Sequence, residues 1–200
     1  MNPTDILVNE HRIIEQVLNV LDKIIEQATT AGRLEAESAR EALDFFRMFA
    51  DRCHHGKEEA HLFPVMETRG FSGGCSPVAV MLREHELGRL YVSGMAGAID
   101  GASQGDADAL QWFTQHGQSY IRLLREHIQK EDQCLFPAAN RAFREEDVRR
   151  LLQAFEKVEH EEMGEGTHEK YLALANRLAD RFGVARATVA EHVHGCGCGH

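Results

Sequence analysis

The sequence predicts an all-α protein: an up-down-up-down four-helix bundle, hemmed by an extra C-terminal helix and a flexible tail. Three observations carry this expectation. Apolar residues recur at helical spacing through four long segments. No segment alternates with the period of two that marks a strand. The connections are short, and one of them, Gly70-Phe71-Ser72-Gly73-Gly74-Cys75-Ser76-Pro77, is a loop by composition.

The first segment covers about 4–29, opened by Asn2 and Pro3 and closed by Gly32, with Leu7, Ile14, Leu18 and Leu21 on one stripe. The second runs from about Leu34 to Thr68, with Leu43, Phe46, Phe49 and Ala50 inward and Pro64 expected to kink or end it. The third spans about 77–100 and stops at Gly101; His85 sits on it with Leu82 and Val92 on its face. The fourth covers about 106–137 and is expected to end at Pro137. A fifth, about 144–182, is interrupted near Gly164 and Gly166. Two hundred residues at 43% hydrophobic content support one substantial core with an appendage. The expected organisation is a bundle over 1–142, a helix packed on it over 143–183, and a Cys/His-rich tail over 184–200.

Composition excludes some functions. A net charge of −10 argues against nucleic acid and anionic membrane as partners, which need clustered Lys and Arg. No apolar run approaches the roughly 20 residues needed to span a bilayer. The start MNPTDILVNEH lacks the pattern of a signal peptide, and five Cys give no disulfide framework. Together these lead to the expectation of a cytoplasmic protein in a reducing environment.

The chain repeats itself. Residues 54–64 read HHGKEEAHLFP and residues 127–137 read HIQKEDQCLFP, an offset of 73; upstream stand His11 and His85, an offset of 74. Residues four apart lie one turn apart on a helix, so His54 with Glu58, and His127 with Glu131, can each reach one point. Buried carboxylates are costly without compensation, and bound cations remove that cost. Four imidazoles and two carboxylates form a ligand set for two metal ions: His11, His54, Glu58, His85, His127 and Glu131. The mixed nitrogen and oxygen donors suit iron above manganese or zinc. Two imidazoles per ion with two shared carboxylates make four protein ligands each; a solvent oxygen would make five and leave a position open. His55 and Glu59 also stand four apart, on a more apolar face, but their counterparts Ile128 and Asp132 cannot make the same set, so the repeat selects His54 and Glu58. His61, two turns beyond His54, reads as a surface or supporting group.

On these residues the chain resembles the hemerythrin family, in the bacterial branch of HHE cation-binding domains. His11, His54 with Glu58, His85, His127 with Glu131, and the Leu-Phe-Pro endings at 62–64 and 135–137 carry the resemblance, over roughly residues 4–140. It implies a four-helix bundle around an oxo- or hydroxo-bridged di-iron centre. It also implies binding of, or reaction with, O2, NO or peroxide, with iron–sulfur repair, iron delivery, or oxygen and redox sensing as alternatives. Oxygen-carrying members place a second imidazole four residues after the third-helix His; Arg89 stands there in this chain. A four-His, two-Glu set therefore resembles the repair-type and peroxide-reactive branches.

Other residues receive plainer readings. Cys53 and Cys134 read as small buried hydrophobes. Tyr91, Trp112 and Tyr120 read as core or boundary aromatics, Tyr120 being the one placed to approach the metals. His160, Glu161, Glu162, His168 and Glu169 read as a solvated face. Cys196, Cys198, His192, His194 and His200 read as a flexible, metal-avid tail. No Ser/His/Asp arrangement, phosphate-binding loop or zinc-finger spacing is present, and no catalytic residue is assigned.

Overall fold

The computed structural model describes residues 2–159, 164 and 166–188. His160, Glu161, Glu162 and the Cys196–Cys198 tail lie outside the described residues. All described secondary structure is helical, an all-α bundle with additional helical structure after it. None of the helices is long and apolar enough to cross a membrane, among the described residues.

The first helix, α1 (Pro3–Ala31), begins where the Asp5 carboxylate accepts from the Asn2 backbone N–H at 2.7 Å. It ends at Gly32, whose φ of 69° is the left-handed conformation that glycine adopts without strain. The second long helix is composite: α2 (Ala36–Phe45), π1 (Phe46–His55), π2 (Glu58–Leu62) and α3 (Phe63–Thr68). Helix α4 (Pro77–Ser103) starts at Ser76, whose hydroxyl accepts from Ala79 N–H. The fourth is composite as well: α5 (Ala107–Lys130), π3 (Glu131–Leu135) and α6 (Phe136–Ala142). Each long helix packs on its two neighbours, α1 on α2 and α5, and α4 on α2 and α5. Two further helices follow, α7 (Glu145–Lys157) and α8 (Thr167–Phe182). α7 lies on α1 and π2, and α8 on α1 and α2, where the Tyr171 hydroxyl donates to Asp44 at 2.9 Å.

The two prolines do not end their helices. Pro64 lies in α3 and Pro137 in α6, and the helix runs on to Thr68 and Ala142. The reason is the π turn ahead of each. Phe63 N–H bonds Glu58 C=O and Phe136 N–H bonds Glu131 C=O, five residues back. The widened turn relieves the clash a proline ring makes with the carbonyl four residues earlier. Leu82 also departs from expectation: it is 37% exposed, while the inward stripe of α4 runs through Val78, Met81, His85, Gly88 and Val92.

The core is divided. One apolar cluster fills the body of the bundle, with Ile14, Leu18, Phe46, Met95 and Leu124. A second fills one end, with Leu7, Phe63, Met81, Phe136 and Phe155. Between them lies a polar layer, because His11 falls between Leu7 of one cluster and Ile14 of the other. Two glycines of α4 test the packing. Gly97 has open space where a Cβ would stand, so Gly97→Ala should stabilise by about 1 kcal/mol through helix propensity. At Gly101 a Cβ would lie 2.8 Å from the Cβ of Ala109, and overpacking there should cost about 1–3 kcal/mol. Thermal unfolding midpoints of the two variants should move in opposite directions.

Candidate metal centre

The six sequence-predicted residues meet in the polar layer, and all are buried. α1 contributes His11, π1 His54, π2 Glu58, α4 His85, α5 His127 and π3 Glu131. His11 Nε2 lies 3.0 Å from His54 Nε2, and His85 Nε2 lies 3.1 Å from His127 Nε2. The carboxylates lie between these pairs. Glu58 points one oxygen at His54 (3.6 Å) and the other at His85 (3.4 Å). Glu131 Oε2 is 3.3 Å from both His11 and His127.

Each imidazole is held from behind by a carboxylate. His11 Nδ1 donates to Asp132 (2.7 Å), His54 Nδ1 to Glu10 (2.9 Å), His85 Nδ1 to Glu59 (2.7 Å) and His127 Nδ1 to Glu84 (2.9 Å). Cations brace these in turn: Arg12 on Asp132, Lys57 on Glu10, Arg89 on Glu59 and Lys130 on Glu84. With protons committed to Nδ1, the paired Nε2 atoms face each other as lone pairs. Two lone pairs 3.0 Å apart repel unless a cation or proton lies between or beside them. Both oxygens of Glu58 and of Glu131 are buried without any hydrogen-bond partner among the described residues. Orphaned carboxylates and opposed imidazoles are the donor set that metal ions complete, and the carboxylate behind each ring is the usual support of a metal-bound histidine.

Without metal, a proton stands where a cation would at the His11–His54 pair. Burial, and then the charge of Glu131, push the Glu58 carboxyl well above its usual range. Burial also opposes ionisation of Glu131, but the imidazoles of His127 and His11 overcome it and hold that carboxyl low. His54 is driven well below 6.5 by burial and by its neighbour His11. At His11 burial is outweighed by the hydrogen bond to Asp132 and the nearby charge of Glu131, which raise it to about 9.

The structure corrects one reading. His55, set aside by the repeat argument, is buried in the same layer. Its ring stacks on His85 at 3.8 Å, and Nδ1 donates to Asp51 at 3.3 Å. Two groups of potential ligand atoms result, each within 4.8 Å: His11, His54, Glu58 and Glu131, and His55, Glu58, His85 and His127. The cause is the π backbone. A turn closed from i to i+5 holds more residues than the 3.6 of an α turn, so consecutive residues His54 and His55 both face inward. Glu59, the other member of the alternative register, instead supports His85. His61 is half-buried and belongs to neither group.

The supporting shell was missed although its signal lay in the repeat. Glu10 and Glu84 each precede the lone His, and Glu59 and Asp132 each follow the ligand-spaced Glu. A cavity of about 270 Å3 opens beside the layer, reaching His55, His85 and His127 and walled by Phe46, Val92 and Tyr120. Tyr120 thus approaches the site, and burial raises its phenol pKa. Trp112 is exposed and touches His116.

Cys53 is buried as expected, but Cys134 is exposed, as is Cys75. The π turn explains the second: Cys134 lies in π3, whose inward positions are taken by Glu131 and Leu135. Burial, and then the charge of Glu10, push the Cys53 thiol up to about 12. At pH 8 it therefore carries almost no thiolate, the reactive form. Iodoacetamide should label Cys75 and Cys134 and spare Cys53, as peptide mapping by mass spectrometry would show.

The sequence pattern described as the hemerythrin HHE cation binding domain matches residues 2–139. Uncharacterized proteins of Mycobacterium tuberculosis and Mycobacterium bovis are 25% identical to the chain over 175 residues, 87% of this chain. The chain spans 66% of the length of those relatives. No solved structure matches it significantly. The family match covers more than half the chain and all six residues of the repeat, so this protein belongs to the hemerythrin HHE cation-binding family.

Proposed function

We propose that the chain holds two iron ions, His11 and His54 on one and His85 and His127 on the other, with Glu58 and Glu131 spanning both. One coordination position is open to O2, NO or peroxide. The observation that carries this reading is the set of four orphaned oxygens on Glu58 and Glu131, ringed by imidazoles whose Nε2 atoms face one another in pairs. Imidazole with carboxylate suits iron better than the thiolate-rich sets that mark structural zinc.

Bound iron would supply a Lewis-acidic, redox-active position for the small ligand. The chain's own residues do the rest. Asp132, Glu10, Glu59 and Glu84 fix each ring and keep its proton on Nδ1. The two apolar clusters keep bulk water from the layer. The cavity walled by Phe46, Val92 and Tyr120 offers a path for a small molecule. Metal analysis beside an optical spectrum of the oxidised protein tests the reading. Two irons per chain with near-ultraviolet charge-transfer absorption support it; zinc alone in protein from iron-replete cells overturns it.

A sensing role has one observation in its favour. Lys57 links Glu10, which holds His54, to Glu159, two residues beyond α7 (both 2.5 Å). A change of charge at the centre can therefore reach the segment between α7 and α8. Limited proteolysis of oxidised and reduced protein should differ there; identical cleavage would rule the sensing role out.

A further inference from the structure

We propose that His55 is a fifth imidazole of the centre, on the ion held by His85 and His127, so that the two metal positions are chemically unequal. The assignment rests on the dinuclear reading above and deepens it.

The two halves of the bundle repeat the ligand residues and also the bonds around them. Glu10 supports His54 as Glu84 supports His127; Asp132 supports His11 as Glu59 supports His85. Against that symmetry, the departures gather on one side. His55 and Asp51 stand where the second copy has Ile128 and Leu124, both buried apolar residues. Gly88 stands where the first copy has the buried Ile14, and Arg89 where it has Glu15. Asp51, His55, Gly88 and Arg89 all line the cavity of about 270 Å3. A glycine for an isoleucine opens space there, and a Cβ on Gly88 would meet only ordinary contacts, Tyr120 at 3.5 Å and Leu123 at 3.9 Å.

The imidazole in this opening is held as a ligand is held. Asp51 takes its Nδ1 proton at 3.3 Å, and Arg89 Nε fixes Asp51 at 2.9 Å. That leaves Nε2, for which the described residues offer no hydrogen-bond partner. A ligand atom of His55 lies within 4.8 Å of ligand atoms of Glu58, His85 and His127. Burying an imidazole in place of an isoleucine is unfavourable unless its free nitrogen is satisfied, and a metal ion satisfies it. One position then has two imidazoles and the other three, with Glu58 and Glu131 shared between them. The second has the larger share of neutral nitrogen donors, so it favours the divalent over the trivalent ion. It is also the position that the cavity reaches.

Full-length protein loaded with Co(II) without air tests this, because each ligating histidine gives a hyperfine-shifted ring N–H proton resonance. Wild type should show five such resonances. His55→Phe, which keeps the stacking on His85, should show four and bind its second cobalt about 10-fold more weakly or worse. Four resonances in wild type, unchanged in H55F, would overturn the assignment and leave the dinuclear reading standing. Failure to take up cobalt at all would remove both. If H55F does not fold, the wild-type count still decides.

Discussion

Replacing Glu58 with leucine should stabilise the metal-free protein and weaken the metal-loaded one. Without metal, the Glu58 carboxyl is fully buried, raised in pKa by burial and by Glu131, and has no hydrogen-bond partner. An unsatisfied buried polar group costs about 1–3 kcal/mol, and leucine of similar volume removes that cost. With metal, the same residue spans both candidate positions, since its two oxygens face His54 and His85 separately. The variant should lose the second ion and with it the stabilisation that binding confers, about 4 kcal/mol at a thousandfold excess over Kd. Unfolding with and without chelator reads both effects. A variant destabilised equally in the two conditions, still taking up two ions, would contradict the role given to Glu58.

Lys57→Met should be the most damaging single change outside the six. The ammonium is 0% exposed and holds two carboxylates, Glu10 and Glu159, at 2.5 Å. Without it Glu10 stays buried with its charge uncompensated, while it also positions His54. Breaking a buried pair in this way costs about 3–5 kcal/mol. The counterpart in the second copy is a control. Lys130 makes the same kind of bond to Glu84 but is 41% exposed, so Lys130→Met should cost less than about 1 kcal/mol. Denaturant titration should separate the two variants clearly, and equal losses would show that burial of Lys57 is not what matters.

Much of this arrangement was legible in the sequence. Apolar periodicity located the long helices, and the offsets of 73 and 74 picked out six residues that do converge in one layer. The π turns were not legible. Their widened hydrogen bonding has no compositional signal as plain as a glycine or a proline, and pattern reading assumes 3.6 residues per turn. Three misreadings share that cause: His55 placed outside the layer, Cys134 placed in the core, and Pro137 taken as a helix end. The supporting carboxylates were missed for another reason. They neighbour the ligand residues in sequence but act on rings of other helices, as Glu10 does on His54, and such pairings follow from tertiary packing.

The π segments also bear on how the gene for such a chain can change in length. A π turn is the α-helical path with one residue added. Glu58 to Pro64 and Glu131 to Pro137 are both six residues apart. Deleting one codon between either pair would restore ordinary α geometry and leave everything downstream in phase, because the widened turn is where the extra residue is absorbed. Phe63 and Phe136 would keep their places in the end cluster, which both now fill. An in-frame loss of one residue can be absorbed there, whereas in the α-helical body of the bundle it would swing everything downstream by about 100°.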